Sequence, residues 1–506
     1  MNRSKLVLHI LTIGIVLGIM GDTLLRVGPW AFNLTLWIAT VLAVALVLVA
    51  YHRVAWPRGM VWLALPVMVF ALGYTWRDSP GLKTLDLLAI LVGFSIWALS
   101  LEGVRLRSWG ILDYLRGMTS SGLAALAGVA VLERSDIAWP TTPRSAALRH
   151  ARSAVVGLLI AFPLLFIFGG LLMAADAVFE DFVTRALDFD FATILSHAAL
   201  SAFFTWIVCG YLFLILKARK PLLADSLKVD RPGLGLVEIA LPLALIDLLF
   251  LTFVVVQLRY LFGDAALVQE TVGLSYAEYA RRGFFELVTV AALVLPLLLL
   301  ADWVLLNTER RSRHIFRALA GVQLLLLFVI MISALQRMNL YVDAYGLTEL
   351  RLYSSALMIW LGIVFAWFAA TVLRSRREHF TLGAVASGFL AILALNFLNP
   401  DALIARVNVE RARAGYEFDA LYATSLSADA VPRLVAALPD LGQEDRCLAA
   451  TRILERWMPP AEADWRTWNR ARSKAWRAVE GATTDLSVAC PAQPKTTPRR
   501  GTSPPS

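Results

Sequence analysis

Runs of about twenty consecutive apolar residues recur along this chain from Leu6 almost to Leu398. A helix of that length rises about 30 Å, the thickness of a bilayer's hydrocarbon core. Lipid offers no hydrogen-bond partners to a backbone, so such segments must satisfy their own N–H and C=O groups as helices. The spacing predicts about eleven spans, at residues 6–25, 30–51, 60–76, 84–101, 153–175, 193–216, 235–258, 282–306, 315–335, 353–373 and 381–398. Composition agrees, with 58% hydrophobic and 17% charged residues against about 45–50% and 25% in a soluble domain. The expected fold is all-α, a polytopic transmembrane helical bundle.

The formal charge of +9 would suggest nucleic acid in a soluble protein, but cytoplasmic loops of membrane proteins collect Lys and Arg. With Arg3 and Lys5 placing the N-terminus inside, alternation also puts inside the segments with Arg53 and Arg58, Arg105 to Arg152, Lys217 to Arg231, Arg310 to Arg317, and Arg374 to Arg377. The C-terminus then falls outside, where no nucleic-acid partner is expected. The first apolar stretch carries His9 and Asp22 and has no small-residue cleavage site, so it reads as a span and not as a signal peptide. Residues 109–133 are moderately apolar but flanked by basic segments on both sides. They read as an in-plane or re-entrant helix within a cytoplasmic segment, 103–152, with a twelfth span as the alternative.

The chain divides into a transmembrane domain at 1–399, an extracytoplasmic helical domain at 400–490 and a Pro/Thr/Ser-rich disordered tail at 491–506. In the helical domain, helices are expected at about 402–414, 427–437 with Ser427 as N-cap, 443–457 and 463–480. The last carries Trp465, Trp468 and Trp476 on one side, a face suited either to headgroups or to packing within the domain. Cys447 and Cys490 lie in this region and would be free to pair in an oxidising compartment or to stay reduced. No metal-ligand spacing, dinucleotide fingerprint, phosphate-binding loop or hydrolase elbow is present, so no metal or cofactor is expected.

Two span pairs share a pattern: QLRYLFG leading to GLSYAEYARRGFFEL, and LQRMNLY leading to VDAYGLTELRLY. Each has an Arg at the span end, an aromatic next, and a Gly-Leu-Ser/Thr turn opening the following helix. Ser275 with Glu278 forms a capping box. These loops concentrate Arg259, Tyr260, Glu278, Arg282, Glu286, Arg337, Tyr341, Asp343 and Arg351. Arg forks suit phosphate or carboxylate groups, so the set could bind an anionic lipid or envelope partner. The same residues could equally form an internal network that fixes helix ends. Inside the spans, Asp247 follows Pro242 and lies nine residues beyond Glu238. Ionisable groups at that depth are costly, and the pair suggests either a proton or cation relay or, as commonly, a buried Asp paired with an Arg or Ser of a neighbouring helix.

QLRYLFG, YAEYARRGFFEL, RMNLYVDAYGLTELRLY, NPDALIARVNVERA (Asn399 to Ala412) and FDALYATSLSADAVPRL resemble the bacterial membrane proteins grouped as domain of unknown function 4173, relatives of the 4153 group. The resemblance spans roughly residues 150–440. It implies integral membrane location and brings no catalytic residue. The expected protein is therefore a multi-pass inner-membrane protein that binds at its outer face, in sensing, assembly or regulation, more a binder than an enzyme. Its partners are the lipid bilayer and an anionic envelope component. The alternatives are a proton-coupled permease using Asp247 and Glu238, and a transferase acting on lipid-linked sugars.

Overall fold

The computed structural model describes residues 3–52, 60–101, 114, 117–119, 122, 172, 176, 191–217, 234–261, 284–305 and 310–490. Among them the secondary structure is helical apart from one isolated bridge between Leu234 and Leu305. The helices, numbered in order, are α1 Arg3–Leu25, α2 Phe32–Tyr51, α3 Met60–Trp76, α4 Pro80–Leu101, α5 Phe191–Lys217, α6 Leu236–Leu261, α7 Phe284–Val304, α8 Arg310–Tyr345, α9 Glu349–Thr371 and α10 Phe380–Leu398. Six shorter ones follow: α11 Pro400–Arg413, α12 Ala420–Ser425, α13 Val431–Ala437, α14 Gln443–Trp457, α15 Arg470–Gly481 and α16 Thr483–Val488. Nine helices among the described residues are long and apolar enough to cross a bilayer, and Ala64–Trp76 is a shorter apolar one. The protein is an all-α, multi-pass membrane protein. Nearly all of the expected span at 153–175 and of the segment 109–133 lies outside the described residues.

The chain forms two compact units. The first comprises Met1–Ala64, Phe94–Val104 and Arg116–Ser226, and the second Leu65–Gly93, Arg105–Leu115 and Leu227–Ser506. In the first unit α1 lies along α5, and glycine sets the distance between them. A Cβ on Gly18 would fall 1.9 Å from Oγ1 of Thr205 and 2.6 Å from the Ser201 carbonyl, and one on Gly14 would fall 2.1 Å from the Cys209 sulfur. Gly14 and Gly18 are a small-xxx-small pair, the spacing that lets two backbones approach in lipid, where packing must replace the hydrophobic effect. At one end of this pair Asp22 accepts from Arg26 Nη2 at 2.7 Å and contacts His197 Nδ1 at 2.5 Å.

The second unit holds two apolar cores. One fills the space between α6, α7, α8, α9 and α10, around Phe284, Leu327, Met358, Phe365 and Phe380. The other unites the short helices α11 to α16 around Ile404, Ala428, Val431, Ile453, Ala475 and Val479. Helix α8 has 36 residues, about 54 Å, and so outruns a bilayer core. Residues 336–345, expected as loop, form its last turns. The expected helix at 463–480 is broken: Trp465–Thr467 is a 3-10 turn and α15 starts at Arg470. The cause is Asn469, whose extended backbone and side-chain oxygen cap α15 by accepting from Arg472 N. Trp465 and Trp468 consequently do not share a helix face with Trp476, and both are exposed. Likewise Ser427 Oγ accepts from Asp429 N in the turn before α13, while the helix itself starts at Val431.

The two ends of the second unit differ in chemistry. At one end lie Leu234 and Leu305, the ion pair of Arg377 with Asp302 (3.3 Å), and Arg317 donating to Ser375. Arg310, Arg311, Arg313, Arg374 and Arg376 are at or beside these positions. At the other end the α3–α4 turn, the α8–α9 turn and the α10–α11 junction meet, joined by the short helices.

Candidate functional site

The polar end is built from two helix turns, each gripped by the C-terminal helices. The first is residues 77–79 between α3 and α4. Arg77 donates from Nε to the Asn396 carbonyl (2.7 Å) and pairs through Nη1 with Asp429 (3.1 Å), whose other oxygen accepts from Asp78 N (2.7 Å). Asp78 in turn meets Lys83 at 2.7 Å and Arg472 at 3.3 Å. Ser79 donates to Asp401, and the second oxygen of Asp401 accepts from Ser427 N at 3.0 Å. Asn469, while capping α15, donates to the carbonyls of Tyr74 and Arg77 at 2.8 and 2.9 Å. Asn399 joins α10 to α11 in a left-handed conformation, φ 56°, which a short polar side chain tolerates. With its amide oxygen turned to Arg77, it accepts from Nη1 at 2.8 Å and donates to Asp429 at 3.3 Å.

The second turn, 346–348, connects α8 to α9. Gly346 has φ +80°, and a Cβ there would lie 2.7 Å from Asn408 Oδ1. Glycine therefore serves both the turn and the approach of Asn408, which bonds Leu347 at N and O, each at 2.8 Å. Arg411 reaches the carbonyls of Asp343 and Ala344, Arg351 reaches that of Gly346, and the Tyr422 oxygen accepts from Glu349 N at 2.8 Å. Cations on the last carbonyls of α8 offset the negative end of its dipole. Arg351 also sits 3.9 Å above the Tyr341 ring, and Arg411 lies 4.5 Å from that of Tyr416.

Burial sets the electrostatics. Asp401 is fully buried and Asp429 nearly so. Burial pushes the Asp429 carboxyl above its ordinary range, with the Asp78 N–H and Arg77 opposing the shift. Burial lowers the Arg472 guanidinium from its usual value, offset by Asp78. The half-buried Tyr422 phenol is pushed up to about 12 by the loss of water around it. Burial is thus the largest influence on all three groups, and their partners oppose it in part.

Of the residues expected at an anion site, the structure brings Arg351 and Tyr341 together and places Arg337 one turn before Tyr341 on α8. The Asp343 side chain is exposed, and its carbonyl receives Arg411. Glu286 is exposed in the first turn of α7. Arg259 and Tyr260 lie in the last turn of α6, with side chains outside the described residues. Glu278, Arg282 and the Ser275 capping box fall wholly outside them. Cys447 and Cys490 form a disulfide, Cα to Cα 4.5 Å. Glu238 is exposed and accepts from Gly235 N at the start of α6. Asp247 is 7% exposed and neither carboxylate oxygen has a hydrogen-bond partner among the described residues. Helix α6 runs beside α8, with Ser333 donating to Gln257 at 2.6 Å. Ten residues earlier on each helix stand Asp247 and Gln323, the latter fully buried with neither side-chain polar atom hydrogen-bonded among the described residues.

Sequence reasoning missed Arg77, Asp78, Ser79, Asp401, Asp429 and Asn469 as one assembly. The signals were present in Arg-Asp-Ser-Pro between two apolar runs and in the polar residues of the two C-terminal motifs. No His/Cys/Asp/Glu group among the described residues is arranged to hold a metal ion.

Residues 64–437 match the family model described as domain of unknown function DUF4153. That match covers well over half of the chain, which therefore belongs to this family of membrane proteins of unknown activity. No curated protein and no solved structure matches the chain. The matched region contains both gripped turns and nearly every residue that grips them. Asn469 and Arg472 lie beyond it.

Proposed function

We propose that this is a multi-pass protein of the bacterial inner membrane that binds an anionic envelope component at its outer face, with Arg337 and Arg351 as the cations of the described polar end and Arg259 and Arg282 as further candidates from the sequence pattern. The observation that carries the reading is the interlock. The C-terminal helices hold two membrane turns through buried ion pairs and hydrogen bonds, so the polar end is one preorganised surface, and preorganisation lowers the entropic cost of binding. Orientation follows from charge: the Arg310 to Arg317 and Arg374 to Arg377 clusters share the opposite end, which the positive-inside rule assigns to the cytoplasm. The Cys447–Cys490 bond suits the oxidising side. Native mass spectrometry of the purified protein tests the reading. An anionic lipid or envelope fragment should be retained by the wild type and lost in Arg337→Ala, and equal occupancy in the two would overturn it.

A second reading, a proton-coupled permease, is favoured by Asp247. A carboxyl buried at mid-span with no partner among the described residues, ten residues before the Gln257–Ser333 contact as Gln323 also is, is costly unless a translocated ion or proton meets it. Proton-driven uptake in vesicles that survives Asp247→Asn would sink this alternative.

A further inference from the structure

Asp86, on α4, is completely buried, and its Oδ1 accepts from Asn396 Nδ2 on α10 at 2.8 Å. The other oxygen of each group, Oδ2 of Asp86 and Oδ1 of Asn396, has no hydrogen-bond partner among the described residues. Both lie beside Gly73 of α3, where a Cβ would be 2.4 Å from the first and 3.4 Å from the second. Two lone-pair oxygens thus face one small space that glycine keeps open. Both are acceptors, so the space wants a donor. A carboxylic acid and a primary amide have a natural way to supply it. The amide N–H bonds the acid's C=O, the acid's O–H bonds the amide's C=O, and the ring closes with two hydrogen bonds. Half of that ring is in place.

From this geometry we propose that the α3–α4–α10 contact is a proton-binding site, in which one proton on Asp86 Oδ2 is donated to Asn396 Oδ1 and completes the acid–amide ring. The ligand is a proton taken reversibly from water, so no other reactant is needed. The site is separate from the Arg surface and from Asp247. The ionisable groups nearest on the neighbouring elements include Tyr74 on α3, Tyr353 on α9 and Lys83 on α4 itself, with Arg77, which donates to the Asn396 carbonyl, and Asp401, bound to Ser79, at the polar end. The Tyr74 hydroxyl donates to the Lys83 carbonyl, Tyr353 contacts Ser79 at 3.4 Å, and Lys83 is paired with Asp78. These hydrogen bonds and this ion pair turn all three away from Asp86, so none of them replaces the proton. Losing it would set two lone-pair oxygens against each other across Gly73 and loosen α4 from α10, beside the interlock at their polar ends.

The test is difference infrared spectroscopy of the full chain in liposomes at neutral pH, comparing the wild type with Asp86→Asn. The wild type should show a protonated-carboxyl C=O stretch that disappears in Asp86→Asn and shifts in Asn396→Ala. Asp86→Asn should also match the wild type in thermal stability, because its amide supplies the missing N–H donor in place of the proton. Asp86→Ala, which supplies none, should melt lower. Absence of the acid band, or a clear loss of stability in Asp86→Asn, overturns the proposal. So does a sodium-dependent rise in wild-type melting temperature that Asp86→Asn abolishes, which would mark a metal cation at the same oxygens.

Discussion

The guanidinium of Arg77 meets the carboxylate of Asp429 at 3.1 Å across 352 positions of sequence, with both side chains largely shielded from water. One partner ends a membrane helix and the other lies in the turn before α13. The pair joins a membrane hairpin to the C-terminal helices, and it does so without exposed charge. Its worth lies mainly in the cost of breaking it, since removing one member leaves the other buried and uncompensated.

Asp429→Ala should therefore destabilise the second unit by about 3–5 kcal/mol, because Arg77 and the Asp78 N–H both lose their acceptor. Asp429→Asn keeps an acceptor oxygen and should cost less. Denaturation in detergent, followed by limited proteolysis of the α11–α16 region, measures both. Equal stability of Asp429→Ala and wild type would mean that the interlock contributes nothing.

Asp429 also sets a pH dependence. Burial raises its folded carboxyl above the ordinary value, so the folded chain binds its proton more readily than the unfolded chain does. Stability from this group is then present at low pH and falls as pH rises past the ordinary carboxylate range. Relative to Asp429→Asn, the wild type should lose stability between about pH 4 and the raised folded value. Parallel pH profiles for the two proteins would contradict this.

The span positions were readable because lipid imposes a simple rule on a helix, and α1, α2, α6, α7 and α10 begin and end within a few residues of expectation. The interlock was not readable in the same way. Arg77, Asp401 and Asp429 look like ordinary loop charges until tertiary structure brings them together, and no local periodicity encodes a pairing 352 residues apart. Asn469 deceived the helix reading for a related reason. Its neighbours have good helical pattern, but its side chain serves the carbonyls of Tyr74 and Arg77, which a single segment cannot reveal. The Arg351 and Tyr341 pairing was closer to hand, since both flank one short turn.

In the first unit, the α1–α5 contact depends on the absence of side chains. Gly18→Ala would drive a methyl into Thr205 and the Ser201 carbonyl, and overpacking of this kind costs about 1–3 kcal/mol. Gly321→Ala on α8 meets nothing within 4 Å and should be neutral or stabilising by up to about 1 kcal/mol from helix propensity. The detergent melting temperature should fall for Gly18→Ala and hold or rise for Gly321→Ala, and a neutral Gly18→Ala would refute the close approach.

The Cys447–Cys490 bond gives a last prediction that joins stability to sidedness. Its half-cystines are 43 positions apart, and closing a loop of that size removes chain entropy worth about 4 kcal/mol in the simplest polymer account. The double variant Cys447→Ser, Cys490→Ser should therefore weaken α14 and α16 by several kcal/mol, with the membrane helices unaffected. Reductant should do the same to the wild type and nothing to the variant. If the polar end faces the oxidising compartment, a membrane-impermeant maleimide applied to intact cells should label neither cysteine before reduction and both afterwards. Labelling without reduction would mean that the thiols are free in the cell, and absence of labelling after reduction would place this end on the cytoplasmic side, against the charge distribution at Arg310 to Arg317.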